Sequence, residues 1–175
     1  MKIVMIFDQV QAGLGGKENP DLALGGKSIS IGAASMLEEN FKEIDAKVIG
    51  CLYCGDGFFN KNEELVKSKI VGMIKKLGAD VVICGPAYDY KGYGRMCGVL
   101  ANEINENTNA IAIAAMSKEN EDTIEMFKDK VDIVRMPKKG GIGLSNSLKN
   151  LCVLSRKKKD NTSDLNIFIN EVCYK

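Results

Sequence analysis

Five short apolar runs, each followed by a stretch with helical spacing, constrain this chain more than any other feature. The runs are Lys2–Phe7, Lys47–Tyr53, 80–84, 110–115 and 131–135. They are rich in valine, isoleucine and alanine with little polar alternation, as strands covered on both faces require. Between them, apolar residues recur every three or four positions. Residues 31–44 place Ile31, Ala34, Leu37, Phe41 and Ile44 on one face, and Glu63–Leu77 does the same with Val66, Ile70, Met73, Ile74 and Leu77 before Gly78 stops it. Residues 93–104 align Tyr93, Met96, Cys97, Leu100 and Ile104. Residues 119–130 form a charged helix around Ile124 and Phe127, and 142–154 turn Leu144, Leu148, Leu151 and Cys152 inward. Strand and helix alternating in this way make βαβ units, and right-handed crossovers build them into an α/β, doubly wound, five-stranded parallel sheet in three layers. The smaller flavodoxin-like or Rossmann-like layout predicts strand order 2-1-3-4-5.

A chain of 175 residues suits one core. Residues 1–155 are expected to form a single α/β domain. Residues 156–175, which open with the basic run 156–159, are expected to be a polar linker and a short tail, with 165–172 a last helix or strand. The net charge of +1 offers no bulk attraction to nucleic acid or a membrane surface. No apolar run reaches the roughly 18 residues of a membrane span. The opening strand turns acidic at Asp8, too soon for an export signal, so a cytoplasmic protein with reduced thiols is expected. Histidine is absent, which removes Ser-His-Asp and Cys-His catalysis, histidine-ligated metals and an imidazole base. No metal and no cofactor held by this chain is expected.

Open α/β sheets bind ligands outside the carboxyl ends of their strands. The first exit is the long loop from Asp8 to Lys27, rich in glycine; the second is Cys54-Gly55-Asp56-Gly57; the third is Cys84-Gly85-Pro86-Ala87-Tyr88, running on to Tyr93. The fifth, Pro137-Lys138-Lys139-Gly140-Gly141-Ile142-Gly143, opens a helix and has the chemistry of an anion site: free backbone N–H groups, a helix N-terminus and two lysines. It lacks the Gly-Lys-Ser/Thr ending of a P-loop, and Gly13-Leu14-Gly15-Gly16 lacks the spacing of a dinucleotide fingerprint. Glycines serving only turns and close packing are the plainer explanation for both. Cys51-Leu52-Tyr53-Cys54 has CxxC spacing, but three steps along a strand span roughly 10 Å and place the side chains on opposite faces. A disulfide needs Cα atoms within about 7 Å, so Cys51 reads as structural. Cys54, at the strand exit, is the best candidate for a catalytic thiol. Cys84 occupies the equivalent place on the third strand, whereas Cys97 and Cys152 fall on apolar helix faces.

Several of these segments, in co-linear order over about residues 1–155, resemble the amino-terminal region of component B (selenoprotein B) of the glycine/sarcosine/betaine reductases. The resemblance is carried by Val48-Ile49-Gly50-Cys51-Leu52-Tyr53-Cys54-Gly55-Asp56-Gly57-Phe58-Phe59, by Asp80-Val81-Val82-Ile83-Cys84-Gly85-Pro86-Ala87-Tyr88, and by Tyr93-Gly94-Arg95-Met96-Cys97-Gly98. Ala12-Gly13-Leu14-Gly15-Gly16-Lys17, Gly25-Gly26-Lys27 and Ala114-Ala115-Met116 agree as well. The resemblance implies a part in reductive deamination of a small amine, in which a pyruvoyl carbonyl on a companion subunit engages the amine and a selenocysteine attacks the α-carbon. The selenocysteine motif belongs to a later half that has no counterpart in this sequence, so the selenocysteine and pyruvoyl group are expected elsewhere. The resemblance marks Cys54, Gly55, Asp56, Gly85, Pro86, Tyr93, Gly94 and Cys97 as shaping a pocket.

The expected ligand is therefore a small amine carrying a carboxylate. Lys138, Lys139, Gly140 and Gly141 would receive the carboxylate, Asp56 the ammonium, and Tyr88 or Tyr93 would wall the site together with Gly55, Gly85 and Pro86. Other reductase subunits are possible partners, and a homo-oligomer is possible. The competing functions are a non-enzymatic module binding a small anion or amino acid, and a thiol-redox protein. Cys54, Asp56, Pro86, Tyr93 and one of Gly140 and Gly141 are expected to share one depression.

Overall fold

The computed structural model describes the whole chain, Met1–Lys175. Six strands, β1 (Lys2–Phe7), β2 (Gly25–Lys27), β3 (Lys47–Tyr53), β4 (Val81–Ala87), β5 (Ile111–Ser117) and β6 (Ile133–Met136), form one sheet in the order β2-β3-β1-β4-β5-β6. The five long strands are parallel and lie in the order expected from the sequence. The sheet is nevertheless not five-stranded or wholly parallel, because β2 pairs antiparallel with β3 at the edge. Two glycines and a lysine carry no strand signature, and the segment reads as loop in the sequence. Its glycines are there for closeness: a Cβ on Gly25 would come within 2.6 Å of the Tyr53 hydroxyl.

The helices are α1 (Glu38–Glu43), α2 (Asp56–Lys61), α3 (Glu63–Leu77), α4 (Lys91–Asn107), α5 (Glu121–Phe127), α6 (Leu144–Asp160) and α7 (Leu165–Val172). Each face of the sheet carries its own core. On one face, Val66, Ile70 and Ile74 of α3 and Met96, Leu100 and Ile104 of α4 pack on Val4, Ile6, Val82 and Ala112. On the other, Phe41 of α1 and Leu148 and Leu151 of α6 pack on Ile3, Met5, Phe7 and Ile83. Alternate residues of β1 thus enter alternate cores, which is why its sequence shows no polar alternation.

The helix expected over 31–44 begins instead as a 3-10 turn, Gly32–Leu37, and only then becomes α1. Gly32 adopts a φ of +52°, and a Cβ there would meet the Gln11 carbonyl oxygen at 1.9 Å. Only glycine brings the chain this close to the first loop, where Ala33 N–H donates to the same carbonyl at 2.9 Å. The helix or strand expected over 165–172 is the helix α7, and residues 156–175 pack onto the rest of the chain. Helix α6 runs on to Asp160, Ile169 and Val172 of α7 are buried, and Tyr174 N–H donates to Ile133 O at 3.0 Å. The basic run holds the structure together: Arg156 Nε donates to Ile44 O at 3.0 Å, Lys157 pairs with Asp164, Lys158 with Asp132, and Lys159 with Asp80 at 2.7 Å. Asp80 and Asp132 precede β4 and β6, so these pairs secure the amino edge of the sheet and leave the carboxyl edge for other work. No helix is long and apolar enough to cross a membrane.

Candidate functional site

Strand β1 ends at Phe7, and the next two residues, Asp8 and Gln9, are 1% and 0% exposed. Gln11 N–H donates to Asp8 Oδ1 at 2.6 Å, which anchors the turn. Asp8 Oδ2 and Gln9 Oε1 are buried and find no partner in the protein. Gln9 Nε2 donates to Tyr90 Oη at 3.0 Å, and Tyr90 Oη donates to Asp56 Oδ1 at 2.5 Å. Asp56 opens α2 with Oδ2 lying over Gly92, where a Cβ would approach it to 2.1 Å. Burial pushes the Asp8 carboxyl up to about 6, and the Asp56 charge adds to the effect. Burial, then the hydrogen bond to Asp56, pushes Tyr90 up to about 12. Lys17 Nζ stands 4.7 Å from the Tyr90 ring centre and reaches Asp89 O at 3.4 Å, with no carboxylate as partner.

Residues 88–90 turn tightly, with Tyr90 N–H donating to Tyr88 O at 2.7 Å. The turn sends Tyr90 to the α4 face of the sheet and Tyr88 to the α6 face. Asn120 Nδ2 donates to Tyr88 O at 2.6 Å and to Ser117 O at 3.3 Å, tying the exit of β4 to that of β5. Asn120 Oδ1 and Tyr88 Oη are buried without partners. On the α6 side, Gln11, Met36, Tyr88, Lys138, Gly140 and Gly141 are among the residues lining an open depression of about 280 Å³. Native proteins leave few buried polar atoms unpaired, and six of them here, Ser117 Oγ and Glu119 Oε2 included, sit at the carboxyl ends of β1, β4 and β5.

The residues expected to share one depression divide instead between two places, an acidic corner formed by Asp8, Gln9, Asp56 and Tyr90 and the depression on the α6 side, with the exit of β4 between them. Asp56 lies in the acidic one. Lys138, Lys139, Gly140, Gly141 and Tyr88 lie around the other, although Gly141 N–H is committed to Lys138 O at 2.8 Å. Cys54 does not face a cleft: residues 20–22 return over this exit, Gly55 N–H donates to Leu22 O at 2.8 Å, and a Cβ on Gly55 would meet Pro20 O at 2.1 Å. Cys54 is 1% exposed, and burial pushes its thiol up to about 12, so it holds no ready thiolate. Tyr93 is buried in the core and donates to Ile6 O at 2.9 Å, so it walls nothing. Gly85 and Pro86 are buried in a bulge of β4 joined by a cis peptide, with Gly85 at φ +130° and a Cβ there only 2.4 Å from Ala115 O. Gly94 leaves room for Asn120 Oδ1. All six cysteines are free and buried, with Cys51 and Cys54 in opposite cores. No group of three or more cysteine, aspartate or glutamate side chains is placed to hold a metal.

Sequence reasoning missed Asp8, Gln9, Lys17, Tyr90 and Asn120. Attention to the residue leaving each strand, rather than to glycines, would have found Asp8. Nothing in the spacing distinguishes Tyr90 from Tyr88.

Residues 1–168 match the family model described as Glycine/sarcosine/betaine reductase selenoprotein B (GRDB). The chain is 32% identical over 156 residues to a glycine reductase complex component B subunit gamma of Carboxydothermus hydrogenoformans, covering 89% of this chain and 35% of that protein. It is 26% identical over 158 residues to a sarcosine reductase complex component B subunit beta of Peptoclostridium acidaminophilum, covering 90% and 36%. A betaine reductase complex component B subunit beta of the same organism is 28% identical over 127 residues, covering 73% and 28%. The chain spans about a third of the length of these relatives.

Proposed function

The chain belongs to the glycine/sarcosine/betaine reductase selenoprotein B family, and from that premise we propose that it holds a small amine carboxylate at the carboxyl edge of its sheet as part of a component B-type reductase. The observation that carries this reading is the pairing of unlike subsites: acceptors around Asp8, Asp56 and Tyr90 beside a depression edged by Lys138 and Lys139. A zwitterionic amino acid has one end for each. The chain's own part is to bind and orient. Its six thiols are buried, so bond cleavage at the α-carbon falls to the selenocysteine and pyruvoyl groups that the family resemblance assigns to other segments.

One observation favours a second reading, the docking of another reductase subunit. Val10, Leu14, Met36 and Ile142 are exposed on the segments around the same depression. A non-enzymatic amino-acid-binding module would use the same pocket. Calorimetry of the intact chain near neutral pH with glycine, sarcosine, betaine and proline decides between these readings. Saturable binding of one of them supports a ligand site, and binding of none leaves docking as the function of this edge.

A further inference from the structure

The depression edged by Lys138 and Lys139 offers more than a small zwitterion uses. Its volume of about 280 Å³ is the space of roughly nine waters. Met36, Tyr88 and Leu144 line it with apolar surface, and Met36 is left 50% exposed. The Tyr88 hydroxyl is buried without a partner. A ligand that met only the lysines and this hydroxyl would leave the apolar lining in water.

Ile142 stands at the rim. It lies in the chain between Gly141 and Leu144, two of the lining residues, and it is 101% exposed, more than any other large hydrophobic residue of the protein. An isoleucine held wholly in water contributes no burial to the fold. The glycines on either side are not there for closeness, as Gly25, Gly32 and Gly55 are: a Cβ on Gly140 or Gly143 would meet nothing within 4 Å. They are there for conformation, with φ of +74° and +97°. A single backbone hydrogen bond, Gly141 N–H to Lys138 O at 2.8 Å, ties residues 139–142. The segment can therefore turn without breaking packing. We infer that the depression seats an apolar side chain and that Ile142 closes over it, so that this edge selects amino acids with an unbranched chain of several carbons over glycine itself. The inference rests on the substrate-binding reading and deepens it by naming the side chain that the site favours. Seating the chain takes Met36, Leu144 and Ile142 out of water together. The lysines serve every amino-acid carboxylate alike and add no preference of their own.

The test is a titration of the intact chain with glycine, 2-aminobutyrate, norvaline and norleucine, which share both charged ends and differ only in the length of an unbranched side chain. Affinity should rise about twofold for each added carbon, the return expected from half-burying a methylene, and norleucine should bind at least about tenfold tighter than glycine. Ile142→Asn should cut that ratio severalfold without moving the thermal unfolding transition, because the side chain is already in water in the free protein. Met36→Gln should cut the ratio in the same direction. Glycine binding as tightly as norleucine, or a ratio that both substitutions leave unchanged, overturns the inference and leaves the substrate-binding reading standing. Binding of none of the four overturns both.

Discussion

Tyr90 Oη donates a 2.5 Å hydrogen bond to Asp56 Oδ1 and accepts one from Gln9 Nε2 at 3.0 Å. One hydroxyl thereby joins the exit of β1, the start of α2 and the approach to α4. Tyr90→Phe keeps the ring under Lys17 but leaves the Gln9 amide, which is 0% exposed, with only the long 3.5 Å hydrogen bond that it donates to Gly16 O. Stranding a buried polar group costs about 1–3 kcal/mol, so thermal unfolding should shift down by a corresponding few degrees. The same change should weaken glycine binding, because Asp56 loses the contact that orients it. An unchanged melting point would show that the hydroxyl bridge is incidental.

Asp8 is raised from 3.8 to about 6. The folded state therefore holds its proton more tightly than the unfolded chain. On this group's account, stability is greatest below pH 4 and declines as pH rises through about 6, where the buried carboxylate ionises. Two pKa units set a ceiling of about 3 kcal/mol on that cost. Asp8→Asn should raise stability at pH 8, with the gain shrinking to nothing as pH falls toward 4. Denaturant unfolding of both proteins across this range checks it. A gain in stability together with a loss of amine binding would identify a charge kept for function at the expense of the fold.

The thiols should be silent in the native state. Cys54, Cys152 and Cys173 are each pushed up to about 12, and none of the six cysteines is exposed. A thiol reagent should label none of them at neutral pH on the timescale that labels free cysteine, and six after denaturation without reductant. Cys54→Ala should leave ligand binding where it was. Rapid labelling of one native thiol would restore the redox reading.

The basic rim addresses the other end of the ligand. Replacing both Lys138 and Lys139 by alanine should weaken glycine but not methylamine, which has no carboxylate. Both lysines are exposed, so stability should move by less than about 0.5 kcal/mol. Equal losses for the two ligands would mean that the lysines act only through general charge.

The parallel strand order is legible in the sequence because β1, β4 and β5 are uninterrupted apolar runs separated by helices of more than one turn. The edge strand β2 is not, since Gly25, Gly26 and Lys27 become a strand only through the tertiary fit of Gly25 to Tyr53. Helix α2 is hidden for a similar reason: Asp56–Lys61 is one and a half turns, and only Phe59 of it is buried. Asp56 and the lysine loop are legible as strand-exit residues. Cys54, Gly85, Pro86 and Tyr93 stand at the same exits, yet the chain packs over them. Spacing reveals which residues reach the edge of a sheet, and it cannot reveal that residues 20–22 fold back to bury Cys54.

The most direct test of the account is an amide chemical-shift map of the isotopically labelled intact chain titrated with glycine. The account places the perturbed amides at Gln9, Gln11, Asp56, Tyr90 and Gly92 in the acidic corner and at Lys139 and Gly140 on the basic rim. The amino edge around Asp80, Asp132 and Lys159 should remain still. Saturable shifts confined to the first set are the predicted result. Shifts at the amino edge, or none at any glycine concentration while the folded spectrum persists, would contradict it.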